Sequence, residues 1–179
     1  IVKSLQNVKF TQIEDANVLG HYFECFINDM PQHEGQYFTP MPLANFMIYS
    51  LPILKDIKML DYACGVGHFI TQFFNFHKDK KDSITALGVE KDTRLAKTSK
   101  IATFMNNVSA EIKAQNALKT GIIQNHNFSY LLCNPPYSVD EFLKVLDEKS
   151  RNDFELFNKD LNIATNSIEC FFIEKASKV

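Results

Sequence analysis

The pair Pro135-Pro136 is the most constraining point of this chain. The apolar run Phe128-Ser129-Tyr130-Leu131-Leu132-Cys133 reads as a buried strand and leads straight into Asn134-Pro135-Pro136-Tyr137. Each proline removes a backbone donor and fixes φ, and Pro136 biases Pro135 towards an extended conformation. The strand therefore ends in a rigid turn at the carboxyl edge of a sheet, the edge where ligands bind in open α/β folds. The carbonyls of Asn134 and Pro135 face outward as fixed acceptors beside an aromatic ring. Such a place suits a planar group carrying an NH2, and adenine is the obvious candidate. Proline pairs also punctuate ordinary loops. What raises the tetrapeptide above that reading is a second motif upstream.

That motif is Asp61-Tyr62-Ala63-Cys64-Gly65-Val66-Gly67-His68-Phe69, set between the apolar strand Ile57-Lys58-Met59-Leu60 and a helical run from Ile70 to Phe76. A strand, a Gly-x-Gly turn and a helix let backbone approach a ligand closely and aim helix N–H groups at it. The dinucleotide version wants a third glycine where Ile70 stands, and a P-loop needs Gly-Lys-Ser/Thr; neither is present. Asp61 at the strand end suits a cationic or donor-rich ligand better than a pyrophosphate, which disfavours nicotinamide cofactors.

The next strand reads as Ile84-Thr85-Ala86-Leu87-Gly88-Val89, and Glu90 ends it. An acid at the end of a second strand, ~20 residues beyond the glycine turn, binds ribose hydroxyls. In isolation Glu90 is an ordinary strand-end acid; its place in this unit favours the binding role.

Together these residues resemble the S-adenosylmethionine-dependent DNA adenine-N6 methyltransferases. A further stretch, Gly35-Gln36-Tyr37-Phe38-Thr39-Pro40, precedes the glycine turn, and the order GQYFTP, D-x-A-C-G-x-G-x-F, NPPY is similar to the methylation subunits of type I restriction–modification systems. Those subunits more often carry Pro at position 62, Gly at 68 and Phe at 137. The resemblance implies an α/β, Rossmann-like S-adenosylmethionine-dependent methyltransferase fold with a mostly parallel sheet, preceded by a short helical segment.

It also implies a set of roles. Asp61 and the backbone of Gly65 and Gly67 hold the amino-acid portion of S-adenosyl-L-methionine, with Tyr37 and Thr39 closing over it. Glu90 takes the ribose hydroxyls, and Asn116 stands where the family places a contact to the cofactor adenine. Asn134, Pro135, Pro136 and Tyr137 form the catalytic turn around a flipped-out adenine. Partners implied are double-stranded DNA, a separate specificity subunit and a restriction subunit. Type II or fused enzymes, protein-glutamine methyltransferases and an inactive interaction subunit are the competing readings; cytosine-N4 transfer fits Ser or Asp at position 134 better than Asn. No histidine is required, and His68 beside the turn is the one to watch. Phe69, Phe171 and Phe172 are read as packing residues, and no metal site is expected.

Composition bears on partners. A formal charge of -2 and a pI near 6.2 give no basic footprint of a self-sufficient DNA binder. Only Arg94 and Arg151 are arginines among 19 basic residues, and bidentate guanine readout favours Arg, so sequence recognition is expected elsewhere. Cys25, Cys64, Cys133 and Cys170 lack C-x-x-C spacing and read as reduced thiols of a cytosolic protein; no apolar run approaches a membrane span.

The chain divides into a helical lead-in over residues 1–34 and the first part of a catalytic domain over 35–179. An amphipathic helix is expected over Asp15 to Asn28, others from near Pro42, over Thr93 to Met105 and over Ser167 to Ala176, and a weak strand around Ala110 to Lys113. Lys78 to Asp82 reads as a charged loop, a solvated turn rather than a DNA contact. Ser138-Val139-Asp140-Glu141 matches a capping box for a helix through Leu146, and Lys149 to Asp160 reads as a polar, mobile segment. About four strands of the family's seven are found, so an excerpt of a longer chain is expected.

Overall fold

The computed structural model describes residues 39–52, 54–123, 127–137, 139, 142–157 and 167–179. The helix expected over Asp15 to Asn28, the Gly35–Phe38 part of GQYFTP with Tyr37, and Cys25 lie outside the described residues.

Helix α1, Met41–Tyr49, starts directly after Pro40, with Pro42 in the first turn, where a missing N–H costs nothing. Strand β1, Ile57–Asp61, leads through the glycine turn into α2, His68–Phe76. Strand β2, Ile84–Glu90, is followed by α3, Thr93–Met105. The Asp92 side chain caps α3, accepting the N–H groups of Arg94 at 2.8 Å and Leu95 at 3.4 Å. Strand β3 is Ala110–Ala114 and β4 is Tyr130–Leu131. Two short helices close the described chain, α4 over Glu148–Asn152 and α5 over Ile168–Ala176.

The four strands form one sheet in the order β3-β2-β1-β4, and every pairing is parallel. Leu60 sits opposite both Leu87 and Leu131, so β1 is central. β4 is shorter than its apolar run, but the run still follows β1. The N–H groups of Ser129 and Leu132 donate to the Lys58 and Leu60 carbonyls at 2.8 and 3.0 Å. The sequence steps outward through β2 and β3, then returns to the far side of β1. That reversal is the switch point at which such sheets bind ligands.

Successive strand residues point to opposite faces, and both faces are covered. Met59 and Ala86 pack with Ile48 of α1, Ile70 and Phe73 of α2 and Ala96 of α3. Leu60, Leu87 and Val89 pack on the other side with Phe142, Phe154 and the α5 residues Ile168, Phe171 and Phe172. A layer of helix on each side of a parallel sheet is the Rossmann-like α/β arrangement expected.

Lys78 to Ser83 forms 3-10 turns, in keeping with the solvated turn expected there. Two local expectations are corrected. Phe142–Val145 is a single 3-10 turn instead of part of an α-helix; the capping-box residues Ser138, Asp140 and Glu141 lie outside the described residues. Lys149 to Phe157 is anchored. It contains most of α4 and a 3-10 turn over Glu155–Phe157, and Phe154 is buried in the second core. The polar average of that stretch conceals three apolar residues, Phe154, Leu156 and Phe157, that all turn inward. Among the described cysteines, Cys64 is buried and Cys133 and Cys170 are half-buried, all as free thiols.

Phe171 is the hub of this second core. Its ring centroid lies 5.1, 5.3 and 4.8 Å from those of Phe142, Phe154 and Phe157. Phe171→Ala is expected to lower unfolding stability by about 3–5 kcal/mol in urea titration; a loss below about 1 kcal/mol would show that the cluster repacks without it.

Candidate active site

A cavity of about 370 Å³ opens where the carboxyl ends of β1 and β2 meet the segment after β4, within the range of small-ligand sites. Its floor is Asp61, the last residue of β1 and 1% exposed. The Ala63 N–H donates to Asp61 Oδ1 at 3.2 Å. Burial pushes the Asp61 carboxyl up to about 8; the Ala63 hydrogen bond opposes this and the nearby Glu90 charge adds to it. Asp61 makes no ion pair among the described residues. A buried acid with no cation opposite it is a place for a cationic ligand group.

The glycine turn needs left-handed backbone at two positions, with φ of 52° at Gly65 and 87° at Gly67. Their surroundings differ. Gly65 lines the cavity, and a Cβ there would meet nothing within 4 Å, which leaves room for a ligand against bare backbone. Gly67 does not line the cavity. A Cβ on it would lie 2.6 Å from Ser99 Oγ, so this glycine lets α3 pack against the back of the turn.

Glu90 ends β2 as expected and lines the cavity. Its Oε2 accepts the Gly65 N–H at 2.9 Å and its Oε1 the Asp92 N–H at 2.7 Å. The acid thus shapes the glycine turn, while each oxygen keeps a second lone pair for a ligand hydroxyl. Burial raises its pKa, against the pull of those two N–H groups. Asn116 also lines the cavity, and its Oδ1 accepts the Leu118 N–H at 3.0 Å in a side-chain-closed turn.

Across from these, Asn134, Pro135 and Pro136 line the cavity after β4, and Thr39, 9% exposed, lines it from the start of α1. His68 lines it too. Tyr137 stands at the rim, 41% exposed and outside the lining, with its hydroxyl donating to Asn134 Oδ1. Of the eleven residues expected in the site, Gly67 and Tyr137 stay off the wall and Tyr37 lies outside the described residues. Phe69 combines core packing with a place on the wall.

The remaining wall was not read from the sequence. Phe142, Ile168 and Phe172 supply an apolar side, and Leu95 and Leu118 extend it. Phe171 and Phe172 were both assigned to the core; consecutive helical residues point in different directions, and only Phe172 reaches the cavity. The Tyr62 hydroxyl donates to the Phe172 carbonyl at 3.0 Å, tying α5 to the glycine turn. No cluster able to hold a metal ion occurs among the described residues.

Solved structures share this fold. A methyltransferase subunit of a type I restriction-modification system from Streptococcus thermophilus superposes with a TM-score of 0.71, covering 89% of this chain and 35% of that chain at 18% identity. A Listeria monocytogenes protein assigned to the class I S-adenosylmethionine-dependent methyltransferases gives 0.75, covering 97% and 53% at 17% identity. The fold is therefore that of S-adenosylmethionine-dependent methyltransferases. The N-6 DNA methylase family profile matches residues 14–178, and the chain belongs to that family. The type I restriction enzyme MjaVII methylase subunit of Methanocaldococcus jannaschii is 26% identical over 149 residues, covering 79% of this chain and 26% of that protein. The EcoEI methylase subunit of Escherichia coli is 22% identical over 155 residues, covering 79% and 32%. The chain thus spans about a quarter to a third of the length of these curated relatives.

The raised Asp61 pKa links stability to pH. Folded Asp61 keeps its proton to about 8, whereas unfolded it releases it near 3.8. Its stabilising contribution is complete below the unfolded value and is lost as pH rises through about 8. Between about pH 6 and pH 8.5 the melting temperature of the ligand-free chain is expected to fall, and Asp61→Asn to flatten that decline. A variant with the wild-type slope would assign the effect to other groups.

Proposed function

We propose that this chain carries the methyl-transfer site of a DNA adenine-N6 methyltransferase that acts as the modification subunit of a type I restriction–modification system. The observation that carries the proposal is the convergence on one cavity of a buried acid (Asp61), a bare-backbone glycine (Gly65) and a strand-end acid (Glu90) with Asn134-Pro135-Pro136. The residues present fit S-adenosylmethionine: Asp61, held protonated by burial with no cation paired to it among the described residues, would ionise opposite a cationic group, Gly65 leaves space at its backbone, and Glu90 keeps free lone pairs. Asp61 and Gly65 would hold its amino-acid portion with Thr39 nearby, Glu90 its ribose and Asn116 its adenine. When bound, it supplies a methyl group on a positively charged sulfur, an electrophile that needs no further activation.

The chain's own task is to present the nucleophile. A target adenine has to leave the duplex, at a cost of roughly a few kcal/mol. The exposed ring of Tyr137 offers a stacking face, worth about 1–3 kcal/mol per base. Asn134 Oδ1 and the Pro135 carbonyl would accept the two amino hydrogens. Accepting both draws the nitrogen towards a pyramidal form and turns its lone pair into the cavity. An amide and a backbone carbonyl take up no proton at neutral pH, so the displaced proton leaves to water. Catalysis here is alignment and electrostatics rather than general base chemistry.

Sequence recognition by another subunit is supported by the use made of both arginines. Arg94 pairs with Asp92 at 2.9 Å, and Arg151 Nε donates to the Leu146 carbonyl at 3.0 Å. No helix among the described residues is long and apolar enough to cross a membrane.

The test is transfer of tritiated methyl from S-adenosylmethionine to DNA by the full-length protein, with and without its genomic neighbours, and to a glutamine-bearing peptide as the contrasting acceptor. Asn134→Ala is expected to lower kcat by about 10²–10³-fold with cofactor affinity retained. Label entering the peptide and not DNA would replace the adenine reading with the protein-substrate one.

A further inference from the structure

Leu60 and Tyr62 lie two residues apart and both pack in the second core, so Tyr62 carries that face of β1 past the strand end. Helix α5 packs in the same core, and its Ile168 and Phe172, four residues apart on one side of the helix, both line the cavity. The Tyr62 ring lies 5.2 Å from that of Phe172, centroid to centroid, and its hydroxyl donates to the Phe172 carbonyl at 3.0 Å. Burial pushes the pKa of this phenol up, with Cys133 and Asp61 adding to the effect, so it keeps its proton.

The C-terminal end of α5 is held differently. The Glu174 carboxylate accepts the N–H groups of Glu155 at 2.6 Å and Leu156 at 3.1 Å, and Lys178 Nζ donates to the Asp153 carbonyl at 2.6 Å. Those bonds join the helix to residues 153–156 and do not reach the glycine turn; the Tyr62 bond does. In an α-helix the Phe172 carbonyl also receives the N–H four residues on, and its oxygen has a lone pair for each. The hydroxyl is therefore added to a complete helix rather than needed to complete it.

We propose that Tyr62 is a positioning residue, whose hydroxyl acts through Phe172 to fix the separation between the glycine turn that would hold the methyl donor and the apolar wall that would flank the acceptor base. The inference rests on the adenine reading of the site.

The two sides of the cavity offer different chemistry. Asp61, Gly65, Glu90 and Asn116 supply polar atoms and bare backbone, which suit the cofactor. Phe142, Ile168 and Phe172 supply apolar surface to the cavity that Asn134 and Pro135 also line, which suits the flat face of a base. Transfer needs the reacting atoms aligned and about 3–3.5 Å apart, and a misplacement of about 1 Å can cost about 10²-fold in rate. A bond that joins the two sides therefore bears on the chemical step more than on either binding event. Tyr62 is placed to make it, next to Asp61 in the sequence and against Phe172 in space.

The experiment uses the full-length protein with its genomic neighbours and genomic DNA free of adenine methylation. Wild type, Tyr62→Phe, Phe172→Leu and the double variant are compared. Incorporation of tritiated methyl into N6-methyladenine gives kcat, and calorimetry gives the Kd of S-adenosylmethionine. Tyr62→Phe keeps the ring and removes only the hydroxyl; Phe172→Leu keeps the carbonyl and removes the ring on the wall. Tyr62→Phe is expected to lower kcat about tenfold, with the cofactor Kd within about twofold of wild type. In the Phe172→Leu background the same change is expected to lower kcat no further, because the ring it positions is gone. A merely structural bond would lower the melting temperature and leave kcat in place. Wild-type kcat in Tyr62→Phe overturns the positioning role. So does a loss of cofactor affinity that matches the loss in kcat, or the full loss repeated in the Phe172→Leu background. With wild type active, each of these leaves the adenine reading intact; absence of N6-methyladenine from wild type overturns both.

Discussion

The backbone hydrogen bonds that hold β1 between β2 and β4, all three running in one direction, deliver every strand's carboxyl end to the same edge of the sheet. Asp61, Glu90 and Asn134 are far apart in the chain, yet Asp61 and Glu90 end their strands and Asn134 follows shortly after β4, so parallel pairing alone brings them together. Had β4 paired antiparallel to β1, Asn134 would lie at the opposite edge. The order β3-β2-β1-β4 adds a gap beside β1, where successive connections part to either side and no crossover fills the space. The cavity occupies that gap.

Within the cavity, solvation sets the chemistry. Two carboxyl groups, Asp61 and Glu90, are withdrawn from water; burial raises the pKa of both, and the Glu90 charge raises that of Asp61 further. Neither is balanced by a cation among the described residues. Glu90 is offset by backbone N–H groups, two of which it accepts, and so remains a structural acid as well as a binding one. Asp61 accepts one N–H at 3.2 Å and is left with the larger imbalance. The site is thereby strained electrostatically in a way that a positively charged ligand group relieves, and this favours binding over mere packing as its purpose.

Much of this was legible in the sequence, because strands and helices announce themselves by local pattern. The bounds of α3 and the acid at the end of β2 follow directly from residue type and periodicity, as does the glycine turn before α2. The polar half of the site was legible for the same reason: a carboxylate, an amide or a glycine at a strand end has few structural explanations. Its apolar half was not. Phe142, Ile168 and Phe172 are buried whether they face a ligand or a neighbouring side chain, and only three-dimensional placement separates Phe172 on the wall from Phe171 behind it. Averaging over a window also hid Phe154, since a single buried ring among charged neighbours leaves the local composition polar. Gly67 shows a third limit: its requirement comes partly from Ser99, a residue on another helix that no local motif includes.

Tyr62 carries a mechanical consequence. Its ring lies against Phe172, with centroids 5.2 Å apart, and its hydroxyl is bonded to that residue's carbonyl, so one side chain braces the β1–α2 turn against α5. A brace of this kind transmits load in both directions. Tilting α5 would draw the Asp61-to-Gly65 loop with it and narrow or widen the ligand space, and a ligand seated in that loop would in turn fix the angle of α5. Whatever docks on the outer face of α5, where Ile173 is 69% exposed, would therefore feel the filling of the cavity without touching it.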